Sequence, residues 1–307
     1  MVAIMNLYET FSNGDTTLQS ITVEQQQAYV QIRSWYEALS ERSPINCGHV
    51  KSTLLVFRSG QPELKLIGRC HADQQTIKKS AEIIALLKND EEMGFLASKP
   101  SDLNWEAFPF SIPYCSSPYS VYRAAQKLGV PLFPITSGAL ICCTDKNCVI
   151  YGERHKETDT FASSYHHFGG GFRGPVGIEP GDGSIFRTAE RELEEEIGLK
   201  IPYSRLYYAS AIIEGGTNYF QYCFLGVDIT GEERDLARPG EDVAKLEDFP
   251  IDELADKIIA KQFVPTCVLQ TIIWLSVGAP TSSKQSFDQA AIERQLNKLK
   301  EHYSFSL

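Results

Sequence analysis

Two apolar runs, 137–144 and 147–153, flank a short polar turn, and this pattern predicts adjacent strands. Further strands are expected at 205–213 and 218–228. A Gly-rich loop, 169–183, leads into residues 184–197, where Phe186, Ala189, Leu193 and Ile197 recur at helical spacing and predict an amphipathic helix. Helices are also expected at 251–260, at 264–277 and in the closing "FDQAAIERQLNKLKEHY", on Phe287, Ile292, Leu296 and Leu299. Upstream, the pattern predicts a helix at 23–41 (Ile32, Trp35, Tyr36, Leu39) and a hairpin across 52–68, turning at Ser59, Gly60 and Pro62. A helix at 76–90, an irregular Pro- and Ser-rich linker at 98–120 and a short helix at 119–128 follow. The texture changes near residue 130. The expected organisation is therefore a smaller α+β domain at 1–130, an α/β domain with a mixed sheet at 131–280 and a C-terminal helix at 281–307.

Composition narrows the class. The 307 residues, 43% hydrophobic and 22% charged, suit one large or two ordinary globular domains. No apolar stretch approaches the roughly 18 residues of a membrane-spanning helix, and the N-terminus lacks a basic region followed by a sustained apolar run. A cytoplasmic protein is expected. Its eight cysteines contain no C-x-x-C pair and read as reduced side chains packing as small apolar groups. A net charge of -10 without a basic stripe argues against long nucleic acid as a partner. A small anion could still bind if metal ions bring their own charge.

Within 184–197, five glutamates fall in the seven positions from Glu190 to Glu196. At about 100° per residue, Glu192, Glu195 and Glu196 share a face about 100° wide, while the apolar stripe lies beside it and Glu190 and Glu194 point elsewhere. Arg191 precedes Glu195 by four residues and can orient it, and Gly198 is placed to stop the helix. Oxygen-only ligands at this spacing suit a hard divalent ion, Mg²⁺ or Mn²⁺. Taken alone, such a run reads as a solvated acidic face.

"RELEEEIGL" (191–199) fits R-E-U-x-E-E-x-G-U, with U a bulky aliphatic, and Gly177 stands 14 residues before Arg191. In these residues the chain resembles the Nudix hydrolases, whose full pattern is G-x5-E-x7-R-E-U-x-E-E-x-G-U. The similarity extends over about 131–278, with "HHFGGGF" in the place of the family's Gly-Gly loop. One position departs: Gly183 stands where the isolated Glu belongs, with Asp182 one residue earlier. The resemblance implies an α/β/α sandwich and hydrolysis of a small diphosphate-linked substrate, a nucleotide being the expected kind. It implies metal binding by Glu192, Glu195 and Glu196, with Asp182 in place of the missing acid. It implies catalytic roles for Glu195, Glu196 and Arg191, and for Glu241 as general base, with Glu214 as runner-up. A carbonyl of Gly170 or Gly171 is an expected further contact. Arg154 and Arg173 are candidates for gripping phosphate, by the chemistry of the guanidinium group.

Other motifs carry less. "GGGFRG" (169–174) satisfies G-x-G-x-x-G, but Pro175 follows and no helix opens there. His166, His167, Tyr207, Tyr208, Tyr219 and Tyr222 read as ordinary strand residues. Three functions stay open: a Mg²⁺- or Mn²⁺-dependent pyrophosphohydrolase, a nucleotide sensor without turnover and, last, an isomerase of the isopentenyl diphosphate type. The first 130 residues resemble nothing we can name; covering the site, forming a homodimer and selecting substrate are all open roles for them.

Overall fold

A computed structural model of the protein describes residues 45–47, 50–55, 63–70, 72, 74–85, 87, 90–97, 111–158, 161–176, 179, 181–202, 205–206, 208–214, 219–240, 242–276, 278–283 and 285–303. The chain runs through β1 (Ile45–Cys47), β2 (Val50–Leu55), β3 (Glu63–Arg69), α1 (Gln74–Ile84), β4 (Glu92–Leu96), β5 (Ser111–Pro118) and α2 (Tyr119–Leu128). It continues through β6 (Ile135–Cys143), β7 (Cys148–Arg154), β8 (Tyr165–His166), α3 (Ile185–Ile197), β9 (Tyr208–Glu214) and β10 (Phe220–Asp228). It ends in α4 (Gly231–Leu236), β11 (Val243–Pro250), α5 (Leu254–Ala260), α6 (Pro265–Ser276) and α7 (Gln289–His302).

Eight strands form a mixed sheet in the order β1-β2-β9-β10-β6-β7-β11, with β8 paired to β7. The neighbours β10 and β6 run parallel, and the other pairs antiparallel. Successive side chains of a strand point to opposite faces, and β6 uses this to build two cores. Ala139, Ile141 and Cys143 pack with Phe186, Ala189, Leu193 and Ile197 of α3. Leu140 and Cys142 join Cys267, Val268 and Ile272 of α6 and Ile292 and Leu299 of α7 on the other side. The expected α/β/α sandwich around a mixed sheet is thus what the protein adopts. Where β10 bulges between Phe224 and Val227, the fully buried Gln270 donates to the carbonyls of Phe224 (2.8 Å) and Gly138 (3.0 Å), so those acceptors are not left unpaired.

A second sheet has the order β3-β5-β4, with β3 parallel and β4 antiparallel to β5. Two expectations are corrected here. The hairpin at 52–68 does not form, because β2 pairs with β9 in the large sheet while β3 pairs with β5 in the small one. The linker expected at 98–120 contains β5, the central strand of the small sheet. Pro113 and Pro118 disguise that strand, since proline is rare inside sheets. The cysteines also differ from expectation: Cys70 and Cys115 form a disulfide joining the end of β3 to β5. Cys142, Cys143, Cys148, Cys223 and Cys267 are free and buried. The helix expected at 23–41 lies outside the described residues. Although the texture changes near residue 130, β1 and β2 from well before it lie in the large sheet. No helix among the described residues is long and apolar enough to cross a membrane.

Helix α3 begins where Ser184 accepts from the Arg187 N–H (3.3 Å) and stops at Gly198, which takes a left-handed φ of 71°. Its faces make unequal contributions to stability. Leu193→Ala should cost about 2–5 kcal/mol by urea denaturation, and Glu194→Ala, on the solvated side, less than about 0.5 kcal/mol. Equal losses would show that the helix does not dock through the stripe.

Candidate active site

The third face of α3 turns its carboxylates onto the glycine loop. Glu192 lies directly over Gly170: a Cβ built there would sit 2.5 Å from the carboxyl carbon and from both of its oxygens. Only glycine permits that approach. Glu196 is buried and accepts a 2.6 Å hydrogen bond from the Gly169 N–H. Glu195 is different, with a side chain 44% exposed against 13% for Glu192. Two arginines hold it. Arg191 donates from Nη1 (2.9 Å), and Arg173 reaches it through Nη1 (3.2 Å) and Nη2 (3.5 Å). The predicted Arg191–Glu195 contact along the helix is therefore present.

Burial sets the electrostatics. It raises the Glu192 carboxyl to about 7 against the pull of Arg191, with the charge of Glu195 adding to the rise. Burial also pushes Glu196 well above the carboxylate range, reinforced by the charge of Glu192. Two buried acids that repel each other form a site that favours either protons or a cation.

Asp182, expected as a further ligand, accepts hydrogen bonds at both of its carboxylate oxygens. One oxygen accepts from Arg191 Nε (2.9 Å); the other accepts from Arg191 Nη2 (3.0 Å), Thr188 Oγ1 (2.9 Å) and the Arg173 N–H (2.8 Å). It clasps the loop to the helix, a role that uses the acceptors a cation would need. Arg191 completes the clasp by donating to the Gly171 carbonyl (2.7 Å) and Glu192 (2.6 Å). Burial works against its charge, but the hydrogen bonds it donates to Asp182 and the charges of Glu192, Asp182 and Glu195 hold its pKa above the usual arginine value.

The remaining candidates divide. The Gly170 and Gly171 carbonyls, expected as contacts for ligand, accept from the Ser137 N–H (2.9 Å) and from Arg191. Arg154, half-buried on β7, lies near enough for its charge to favour ionised Glu196. Glu241 and Gly177 lie outside the described residues. The neighbours of Glu241 close the C-terminal end of α3, with the Gly240 N–H on the Glu196 carbonyl (2.8 Å) and the Arg238 N–H on that of Ile197 (3.0 Å). Glu214 ends β9, at the edge that pairs with β2. His166 and His167 are buried, and burial drives His167 down to about 3 and His166 well below its usual value, so both stay neutral. Sequence reasoning missed Glu91, which grips Arg173 through Nε (3.1 Å) and Nη2 (2.9 Å). The acidic run "DEE" at 90–92 was its only trace.

Among the described residues, no three His, Cys, Asp or Glu side chains are grouped closely enough to hold a metal ion as they stand. The donor chemistry nonetheless fits a hard divalent cation: Glu192, Glu195 and Glu196 offer carboxylate oxygens alone, and the buried pair needs positive charge once ionised.

The family model described as the NUDIX domain matches residues 134–267. Among solved structures, MutT from Methanosarcina mazei Go1 is 14% identical, over 55% of this chain and 96% of that one, with a TM-score of 0.31. A MutT NUDIX hydrolase from Burkholderia pseudomallei is 19% identical, over 45% of this chain and 94% of that one, with a TM-score of 0.34. A NUDIX hydrolase from Alicyclobacillus acidocaldarius is 14% identical, over 51% and 98% respectively, with a TM-score of 0.34. The comparison with curated proteins finds no match.

The carboxylates make stability depend on pH. Because the folded Glu192 value of about 7 lies above the ordinary 4.5, its contribution is complete at low pH and is lost as pH rises toward 7. Without added metal, the melting temperature should therefore fall between about pH 5 and pH 7. Mg²⁺ or Mn²⁺ should raise it above neutrality and have little effect near pH 5, where protons compete. Glu192→Gln should flatten both responses; unchanged responses in that variant would refute the assignment. Asp182→Ala should cost on the order of 3 kcal/mol in urea denaturation, because it takes two charge-assisted hydrogen bonds from a largely buried guanidinium. A loss under about 1 kcal/mol would show that the clasp does not restrain the loop.

Proposed function

We propose that the protein, whose residues 134–267 match the family model of the NUDIX domain, is a Mg²⁺- or Mn²⁺-dependent pyrophosphohydrolase cleaving the diphosphate linkage of a nucleoside diphosphate derivative. One observation carries the reading: Glu196 is buried on the Gly169 N–H and the largely buried Glu192 lies over Gly170, while Glu195 sits beside them at the rim. A stabilising helix face would not bury repelling acids, whereas a face built to bind a cation must. When bound, a divalent cation neutralises phosphate charge and activates water for attack on phosphorus.

The chain's own groups supply the rest. Glu192, Glu195 and Glu196 would hold the cation, and a carboxylate among Glu195, Glu196 and Glu241 would take the proton released as water forms its bond to phosphorus. The bridging P–O bond then breaks, and the leaving phosphate departs with the electron pair. Arg191, fixed by Asp182, sets the direction of Glu195. Arg173, at the rim, pairs with phosphate oxygens once it leaves Glu195, and Arg154 is a second candidate. The net charge of -10 makes this cationic machinery necessary for an anionic substrate and disfavours long nucleic acid. In this reading residues 131–280 form the hydrolase domain, with 1–130 and the helix in 281–307 as additions to it.

A nucleotide sensor without turnover is favoured by one observation, the hold of two arginines on Glu195. A panel of nucleoside diphosphate derivatives, assayed for product with Mg²⁺ and with Mn²⁺, separates the two. At least one should be hydrolysed, and Glu195→Gln and Glu196→Gln should each lower the rate by about 100-fold or more. Tight nucleotide binding without product under both metals would overturn the hydrolase and establish the sensor.

A further inference from the structure

Resting on the hydrolase reading, we propose that Glu91 is a positioning residue. It holds Arg173 at the rim of the site and thereby governs how readily Glu195 is released to a divalent cation. Arg173 bridges two carboxylates from distant parts of the chain. Toward Glu91 it presents Nε and Nη2 at 3.1 and 2.9 Å, a two-point contact. Toward Glu195 its contacts are longer, at 3.2 and 3.5 Å. Both are two-point contacts of the planar guanidinium fork, and the shorter one, to Glu91, is the better. When Glu195 turns toward a cation, Arg173 therefore keeps a partner in Glu91. Arg191 likewise keeps Asp182, Gly171 and Glu192 as partners.

Both ends of the Arg173–Glu91 contact are anchored through the main chain. The Glu91 carbonyl accepts from the Tyr119 N–H (2.8 Å), and the next residues run along the glycine loop. The Gly174 N–H donates to the Glu92 carbonyl (3.0 Å), and the Gly94 N–H to that of Phe172 (2.9 Å). Gly94 leaves room for this: a Cβ there would meet the Phe172 ring at 2.6 Å. Asp90 is secured by the Ser120 N–H (2.7 Å) and hydroxyl (2.8 Å). The Arg173 main chain is in turn bonded to Asp182. The N-terminal half thus delivers one carboxylate, at a set distance, to a site otherwise built from residues beyond 134.

Without the Glu91 charge, Arg173 would shift toward Glu195 and compete with the cation. The test is Mn²⁺ binding to the full chain, by titration calorimetry and by the electron paramagnetic resonance signal of free Mn²⁺, for the wild type, Glu91→Gln, Arg173→Gln and the double variant. Glu91→Gln should weaken Mn²⁺ binding about three- to fivefold, the upper range for a partly exposed pair. Arg173→Gln should tighten it. Adding Glu91→Gln to Arg173→Gln should change affinity by less than about 1.5-fold, because the intermediary is gone. Equal weakening in both backgrounds, or none in either, would overturn the proposal while leaving the hydrolase intact. If Glu91→Gln does not fold, Glu91→Asp takes its place, with an intermediate loss expected and no loss overturning the proposal. Failure of the wild type to bind Mn²⁺ would remove the hydrolase reading and the role of Glu91 together.

Discussion

Two carboxylates pressed against a peptide backbone set the terms for the rest of this site. Glu192 over Gly170 and Glu196 on the Gly169 N–H lose water that an ionised carboxylate strongly prefers, and they repel each other. The protein offsets part of that cost with one backbone donor and one guanidinium, from Arg191. The remainder is left as raised proton affinity. A site prepared in this way holds an electrostatic demand that either protons or a cation can meet.

Meeting that demand requires α3 and the glycine loop to be rigid with respect to each other. The helix is set on the sheet by Phe186, Ala189, Leu193 and Ile197, and its ends are closed by Ser184 and Gly198. The loop is held on its other side by the clasp of Asp182, Thr188 and Arg191. Asp182 thereby accounts for the departure at Gly183. A carboxylate one residue earlier secures the loop, while Gly183 takes a φ of 69°, which other residues rarely adopt.

The small sheet lies against the same loop. Strand β4 lies along the glycine loop through main-chain hydrogen bonds, and Met93 closes over Gly171, where a Cβ would meet its methyl at 2.5 Å. The disulfide between Cys70 and Cys115 secures β3 to β5, against which β4 pairs. The part of the chain with no recognisable motif is therefore in contact with the part that carries one, and it contributes charge there as well as bulk.

Much of this was legible before any coordinates. The angular sorting of α3 into apolar stripe, converging carboxylates and solvated Glu194 follows from 3.6 residues per turn, a local property of the chain, and so do its stop at Gly198 and the Arg191–Glu195 contact. The strands β6, β7, β9 and β10 were readable because alternation or an unbroken apolar run marks them. Tertiary structure alone decided which partners met. Pairing of β2 with β9, the strand hidden by Pro113, the disulfide and the grip of Glu91 on Arg173 across 82 residues depend on where the chain returns in space. Periodicity specifies the faces that an element presents, but it carries no information about which distant segment will meet each face, because that is settled only when all the buried surfaces are packed at once.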